Sequence, residues 1–337
     1  MSKRISLAHG AGGAEMMRLI KEVILREFSL TRAGEVGLQE LDDGATISLG
    51  DKTLVLTTDS HTVKPLFFPG GDIGRLAVAG TINDLAVMGA KPLALASAVV
   101  LEEGFPIEDL KRICRSMDET AQEVGVPLIT GDTKVMEGRA LDGAVITTTG
   151  IGLAQKLVQD RGLRPGDKII FTGTIGDHGL TILAHREGIE LETDLVSDVA
   201  PIWETVQAAL EAGEVTAMKD PTRGGVAGAL NEMASKAGVG ILLWESEIPI
   251  SPAVQAASEL LGVDPLQITN EGKAVLGVSP ESCDEVLKAV RRTKYGKNAR
   301  VVGEAVRDHP GEVMIETSVG GRRLLEVPMG DPAPRIC

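Results

Sequence analysis

The sequence predicts a mixed α/β (α+β) chain folded as two lobes of similar size. Three observations carry that expectation. Strand-patterned and helix-patterned segments are interspersed along all 337 residues. The length is more than one core conveniently fills. A polar break over 155–167, "QKLVQDRGLRPGD", closes on a Pro-Gly-Asp turn before the next apolar run and marks the expected boundary. The expected division is 1–155, 156–327 and a tail, 328–337.

In order, "GAEMMRLIKEVILREF" (13–28) has apolar residues at helical spacing, opened by a glycine run. "ATISLG" and "TLVLTTDS" read as two strands joined by a turn at Gly50-Asp51. Residues 70–90 read as a largely buried helix ending at Gly89, and 92–101 as a strand. The amphipathic helix of 106–125 starts on a proline, and "VPLITGD" and "GAVITTTGIGLA" are further strands. After the break come the strand "KIIFTGT" and helices near 178–187, 198–212, 224–238, 252–262 and 281–293. With aromatics at 2%, the core must be built from Ala, Val, Leu and Ile. The last ten residues, with three prolines and a glycine, are expected to be extended and mobile.

A net charge of −14 disfavours nucleic acid and anionic membranes as partners. The apolar stretch 76–100 is interrupted by Asn83, Asp84 and Lys91, so no membrane span is expected. Cys114, Cys283 and Cys337 form no CxxC pair, and the N-terminus lacks the apolar core of a signal peptide; both fit a reducing, cytoplasmic setting.

Four aspartates stand out. Asp43 precedes Gly44, Asp59 ends a strand, Asp132 follows one, and Asp84 lies inside an apolar helix. Each of Asp43 and Asp132 alone reads as turn chemistry. A carboxylate such as Asp84, buried without a partner, costs several kcal/mol. As a set, the four point to a divalent cation, and Mg²⁺ is commonly held by carboxylates together with substrate phosphates. Glycine-rich stretches at 9–15, 67–74 and 220–228 each precede a helix, where free amides can receive anions, yet none is a Walker A or G-x-G-x-x-G loop. Lys134 lies two residues beyond Asp132, on the same side of an extended chain. Glu271 follows an apolar run read as a strand and precedes a glycine. Of the five histidines, His9 and His61 adjoin these segments, whereas His178, His185 and His309 read as ordinary helix or surface residues.

The motifs "DDGATI", "TTDSHTVKPLFFPGGDIGRLAVAGTINDLAVMGAKP", "LITGDTKV", "KDPTRGG", "ITNEGK" and the terminal "PRIC" together resemble the HypE family of [NiFe]-hydrogenase maturation factors over essentially the whole chain. Residues 57–92 and the terminal motif are the specific parts. The shorter pieces are shared with aminoimidazole ribonucleotide (AIR) synthetase, PurL-type amidotransferase subunits, selenophosphate synthetase and thiamine-monophosphate kinase. The resemblance implies a two-domain PurM/AIR synthetase-like fold whose N-terminal domains pair in a homodimer, forming a shared β-barrel and an ATP cleft. It implies that the Cys337 thiol receives a carbamoyl group from the carbamoyltransferase HypF. ATP then drives its dehydration to a thiocyanate, and the cyanide passes to iron on a HypC–HypD complex. Carried over by position, Asp43, Asp59, Asp84 and Asp132 would hold Mg²⁺ and ATP, and Asp220 and Arg223 would complete the cleft. Cys337, Lys134 and Glu271 would act on the carboxamide, with the proton-abstracting base left open between Lys134 and Glu271. An extended chain from Met329 to Cys337 would span on the order of 25–30 Å, enough to swing between cleft and partner. The alternatives are a small-molecule kinase or synthetase on the same scaffold, for which a tethered thiol has no use, and a nucleotide-binding scaffold without turnover.

Overall fold

The computed structural model describes residues 4–10, 12–138, 140–189, 194–328 and 335–337. The first helical segment is α1 (Ala14–Leu19), continued by a π turn over Ile20–Ile24 and a 3-10 turn over Leu25–Glu27. Leu25 is its single buried residue, so little packing enforces regular α geometry there.

The N-terminal lobe contains β1 (Ala45–Leu49), β2 (Lys52–His61), β3 (Phe67–Phe68), β4 (Gly71–Asp72), α2 (Ile73–Val87), β5 (Ala90–Glu102), α3 (Ile107–Val124), β6 (Leu128–Met136) and β7 (Ala144–Ala154). Five strands form one sheet in the order β1-β2-β7-β5-β6. Only β5 and β6 pair in parallel, and α3 supplies the crossover that a parallel pair needs. Strand β6 is a sheet edge, and all of its residues are exposed, Leu128, Ile129, Val135 and Met136 included.

The C-terminal lobe contains β8 (Lys168–Phe171), α4 (Asp177–Arg186), α5 (Trp203–Ala212), β9 (Val215–Lys219), α6 (Gly225–Ala237), β10 (Gly240–Trp244), α7 (Pro252–Leu261), β11 (Val275–Val278), α8 (Cys283–Arg292), β12 (Arg300–Val306), β13 (Val313–Glu316) and β14 (Arg322–Leu324). Its seven-stranded sheet runs β14-β13-β10-β12-β8-β11-β9.

Helix α2 joins the lobes. Asp72 caps it, accepting from the Gly74 and Arg75 amides, and apart from Arg75 and Asp84 every residue of the helix is buried. Its N-terminal half packs with Ile113 of α3, Ile146 of β7 and Leu180 of α4, while Ala86 and Val87 pack with Ile202 and Val206 of the other lobe. A helix apolar all round is a buried one. Asn83 pins the second lobe to it, donating to the carbonyls of Ala200 and Glu271 and accepting from the Ile202 amide. The lobes therefore meet along the helix face that carries Asn83, Ala86 and Val87, next to Asp84.

Three local expectations change. Asp132 lies within β6 rather than after a strand. Glu271 follows a 3-10 turn (Pro265–Gln267) and leads into β11, because residues 268–274 run along the lobe boundary, where Asn83 bonds the Glu271 carbonyl, instead of joining a sheet. Of the tail expected to be mobile, 329–334 lie outside the described residues, and Arg335–Cys337 are seated on the protein. Among the described residues no helix is long and apolar enough to cross a membrane.

Candidate functional site

The alternation of β2 sends Val55, Thr57, Asp59 and His61 to its inner side. Thr57 Oγ1 donates to Asp84 Oδ2 at 2.7 Å, and His61 Nε2 stands 3.3 Å from Asp59 Oδ2. The ring fits because residue 80 of α2 is glycine: a Cβ there would lie 2.8 Å from His61 Nε2. Burial lowers the pKa of His61, holding the ring neutral against the pull of Asp59.

Across the lobe boundary, β9 ends in Lys219, followed by Asp220. Lys219 Nζ lies 2.6 Å from Asp43, 3.4 Å from Glu232 and 3.7 Å from Asp160, so one buried ammonium ties the "DDG" loop to the second lobe. Burial opposes its charge, but Asp43, Glu232 and Asp160 together hold its pKa well above the usual lysine value. Such a buried network is strongly destabilised when one partner is removed.

Asp43, Asp59, Asp84, Asp220 and Glu271 gather closely enough for their charges to act on Asp84, Asp220 and Glu271. The Asp84 carboxyl is pushed well up by burial, then by Asp220, Asp59 and Asp43. Burial raises Asp220, with Asp43 next, and raises Glu271, with Asp220, Asp59 and Asp198 adding to it. Asp220 and Glu271 are only 5% and 3% exposed. Asp43 Oδ2, Asp220 Oδ2 and Glu271 Oε1 are buried without a hydrogen-bond partner. Buried carboxylate oxygens left without partners in one neighbourhood are a reason to bind a cation. Among the described residues no three acids stand close enough to hold a metal alone. A cation here would take its remaining ligands from phosphates and water, which suits Mg²⁺.

The cleft beside them, about 240 Å³, is lined by Gly12, Gly13, Asp43, Lys219, Asp220 and Arg223. Gly12 has φ +78, and a Cβ there would come within 2.6 Å of Arg223 Cβ, so the amino-terminal glycines close over the 220–225 loop. That loop opens α6 through Gly224 and Gly225, both at positive φ and without a side-chain cap, which leaves amides for an anion. Burial opposes the charge of Arg223, yet negative charge at Cys337, Asp59, Glu271 and Asp84 raises its pKa. The guanidinium is thus within electrostatic reach of both the acid cluster and the C-terminal residue.

Thr62 Oγ1 donates to a backbone oxygen of Cys337 at 3.3 Å. Ile336 is buried in the core cluster that includes Val63, Phe68 and Leu180, and Cys337 packs against that cluster. Arg335 bonds the Asp142 carboxylate at 2.7 Å and the Thr62 carbonyl at 3.1 Å. Its own carbonyl accepts from the Lys64 amide and from Arg186 of α4. Residues of both lobes therefore build this seat.

Asp132 and Lys134 do not join the cluster within one chain. They form an exposed ion pair of 2.9 Å on β6, in which the Lys134 ammonium holds the Asp132 carboxyl below its usual range. Sequence reasoning passed over Lys219 and His178. The only hint for Lys219 is its place at a strand end before Asp220. His178, read as an ordinary residue, is fully buried against the tail.

Beside the seat, burial and the neighbouring Asp198 raise Asp177 from 3.8 to about 6. The folded protein holds that proton more tightly than the unfolded chain, so the associated stability is complete below pH 3.8 and is lost as pH rises through about 6. Asp177→Asn is expected to leave stability unchanged near pH 4 and to raise it by about 2 kcal/mol at pH 8, measured by urea unfolding at both. Equal effects at the two pH values would contradict this.

The AIR synthase related protein family models match here, the N-terminal domain over residues 41–154 and the C-terminal domain over 164–316. The chain is 47% identical to the carbamoyl dehydratase HypE of Cupriavidus necator over 339 residues, covering 100% of this chain and 95% of that one. It superposes on a crystal structure of a HypE–HypF complex with a TM-score of 0.86 at 42% identity, covering 92% of this chain and 99% of the other. A HypE crystallised with ATP gives a TM-score of 0.82 at 38% identity, over 99% and 100%.

Proposed function

We propose that this chain, which belongs to the HypE family of carbamoyl dehydratases of hydrogenase maturation, uses ATP to dehydrate an S-carbamoyl group carried on its own Cys337. The observation that carries this reading is the seat that residues of both lobes build for Cys337, within electrostatic reach of Arg223, whose loop lines the glycine-rich cleft beside the buried acids.

In the proposed reaction the carboxamide oxygen attacks the γ-phosphorus of ATP. The new O–P bond replaces the bridging P–O bond, and ADP leaves. The carbon–oxygen bond then breaks, phosphate departs with that oxygen, and the two nitrogen protons are removed, leaving S–C≡N. The α6 N-terminus and the 12–13 amides would receive phosphates, and Arg223 would stabilise charge on the transferred group. Asp43, Asp59, Asp84 and Asp220 would hold Mg²⁺, which when bound offsets phosphate charge. Glu271, buried and with a raised pKa, suits proton removal. The carbamoyl donor partner would be HypF, with which the relative described above was crystallised, and a HypC–HypD complex would receive the cyanide. The three cysteines are free thiols, in keeping with a cytoplasmic setting.

Lys134 and Asp132 enter the proposal through a second copy. Strand β6 is an exposed edge with four exposed apolar residues, which a folded protein normally covers. A homodimer closing its two N-terminal sheets into a barrel through this edge would carry the Lys134 of one copy toward the cleft of the other. Mixing inactive Lys134→Ala with inactive Glu271→Gln and allowing exchange should then restore about a quarter of wild-type activity, since half the dimers are mixed and each has one intact site. No recovery despite exchange would place Lys134 in its own chain's site or outside it.

The reaction itself is tested by mass spectrometry of the C-terminal peptide after incubation with HypF and a carbamoyl donor, then Mg-ATP. A gain of about 43 Da followed by an ATP-dependent loss of about 18 Da is expected on Cys337. ATP consumption with Cys337 unmodified would make this a small-molecule enzyme instead.

A further inference from the structure

We propose that His178 is a positioning residue for the reaction, holding the penultimate carbonyl of the chain and so fixing where the Cys337 side chain enters the cleft. The inference rests on the dehydratase reading above for its consequence, but not for its geometry.

Ser197 Oγ accepts from the Val199 amide at 3.1 Å, which leaves its proton for His178 Nδ1 at 2.7 Å. With Nδ1 accepting, the neutral ring carries its proton on Nε2, and Nε2 lies 2.9 Å from the Ile336 carbonyl oxygen. Phe68 meets the ring edge-on at 5.5 Å. The ring is fully buried, and desolvation lowers its pKa, which keeps it in the neutral form this relay requires. The relay grips the tail through backbone, one residue before the reacting thiol. Arg335 anchors the tail independently, at the rim.

These contacts divide the work. Arg335 and the Ile336 side chain hold the tail on the protein, whereas a directional bond to the Ile336 carbonyl sets the rotation of the last peptide unit. Losing it should move the thiol without releasing ATP, because none of these groups lines the nucleotide cleft.

The test compares His178→Leu, His178→Gln and Ser197→Ala in the full-length protein. The first readout is the alkylation rate of Cys337 in the resting enzyme, resolved by peptide, with the exposed Cys114 as internal reference. His178→Leu should react about ten-fold faster at Cys337 and not at Cys114, as expected when a buried carbonyl loses its donor. The second is single-turnover dehydration of carbamoylated protein: the maximal rate should fall at least ten-fold with the ATP dependence unchanged. His178→Gln, which can still donate, should recover much of both, and Ser197→Ala should shift both in the direction of His178→Leu.

Unchanged alkylation and turnover in a folded His178→Leu would overturn the proposal, as would a lowered melting temperature with no selective gain at Cys337. Should His178→Leu fail to fold, Ser197→Ala decides by the same two readouts. Wild-type protein that never loses water from Cys337 would defeat the dehydratase reading while leaving the alkylation comparison to judge the seat.

Discussion

Cys337→Ala is expected to abolish thiocyanate formation completely while leaving nucleotide binding intact. The thiol is the atom on which the carbamoyl group would be carried, and no other sulfur can stand in. Cys283 is buried in a core cluster of the C-terminal lobe, its thiol raised first by burial and then by Asp284. Cys114 is exposed on α3, beside Met117 and Leu128 rather than the glycine-lined cleft. Removing one sulfur leaves the Ile336 core contact and the Arg335–Asp142 pair, so the melting temperature should move by no more than a degree or two, as for a partly exposed terminal side chain. Intact-mass analysis after carbamoylation and Mg-ATP, with calorimetric titration of ATP, checks both halves. Thiocyanate from the alanine variant would end the self-modification reading, and loss of ATP binding would give Cys337 a structural role instead.

Glu271→Gln is expected to slow dehydration by about 10²–10⁴-fold with little change in ATP affinity. The substitution keeps size and leaves the Glu271 backbone carbonyl in its bond to Asn83, so this contact between the lobes should survive. What it removes is a carboxyl held well above its ordinary pKa by burial, with one oxygen lacking a partner. A base is active when deprotonated, so the wild-type single-turnover rate should climb with pH through the range where Glu271 titrates, and the variant should lack that limb. A rate within a few-fold of wild type, with the limb intact, would pass the role to Lys134.

Much of this architecture is legible in the chain because short-range signals agree with it. Gly50-Asp51 between two apolar runs gives the β1–β2 hairpin, and Pro106 and Gly125 bracket α3 in sequence and in structure. Asp84 stands out in sequence as a carboxylate in an apolar helix, and in the structure that carboxylate accepts from Thr57 on a helix whose other residues, Arg75 excepted, are buried. Less legible was whatever depends on pairing at long range. Lys219 gathers Asp43, Asp160 and Glu232 from three separate segments, which no periodicity reports. His178 looked ordinary because its partners, Ser197 and Ile336, are 19 and 158 residues away. Asp132 and Lys134 were grouped with the other acids by motif, yet a single chain leaves them on an open edge; sequence carries no sign of which copy a residue serves.

The seat that both lobes build for Arg335–Cys337 has a kinetic consequence. A reacting group tied to its own catalyst is present at a local concentration fixed by the chain, so dilution does not slow the chemical step. That step is first order, and it has no saturation constant for the carbamoyl group. With Cys337 as the carrier proposed above, each molecule would hold a single charge of product and could not take another until emptied. On the dehydratase reading proposed above, the flux of cyanide would be governed by the frequency of docking and unloading, and cells would raise it by making more copies of the chain rather than by supplying more of a diffusible precursor.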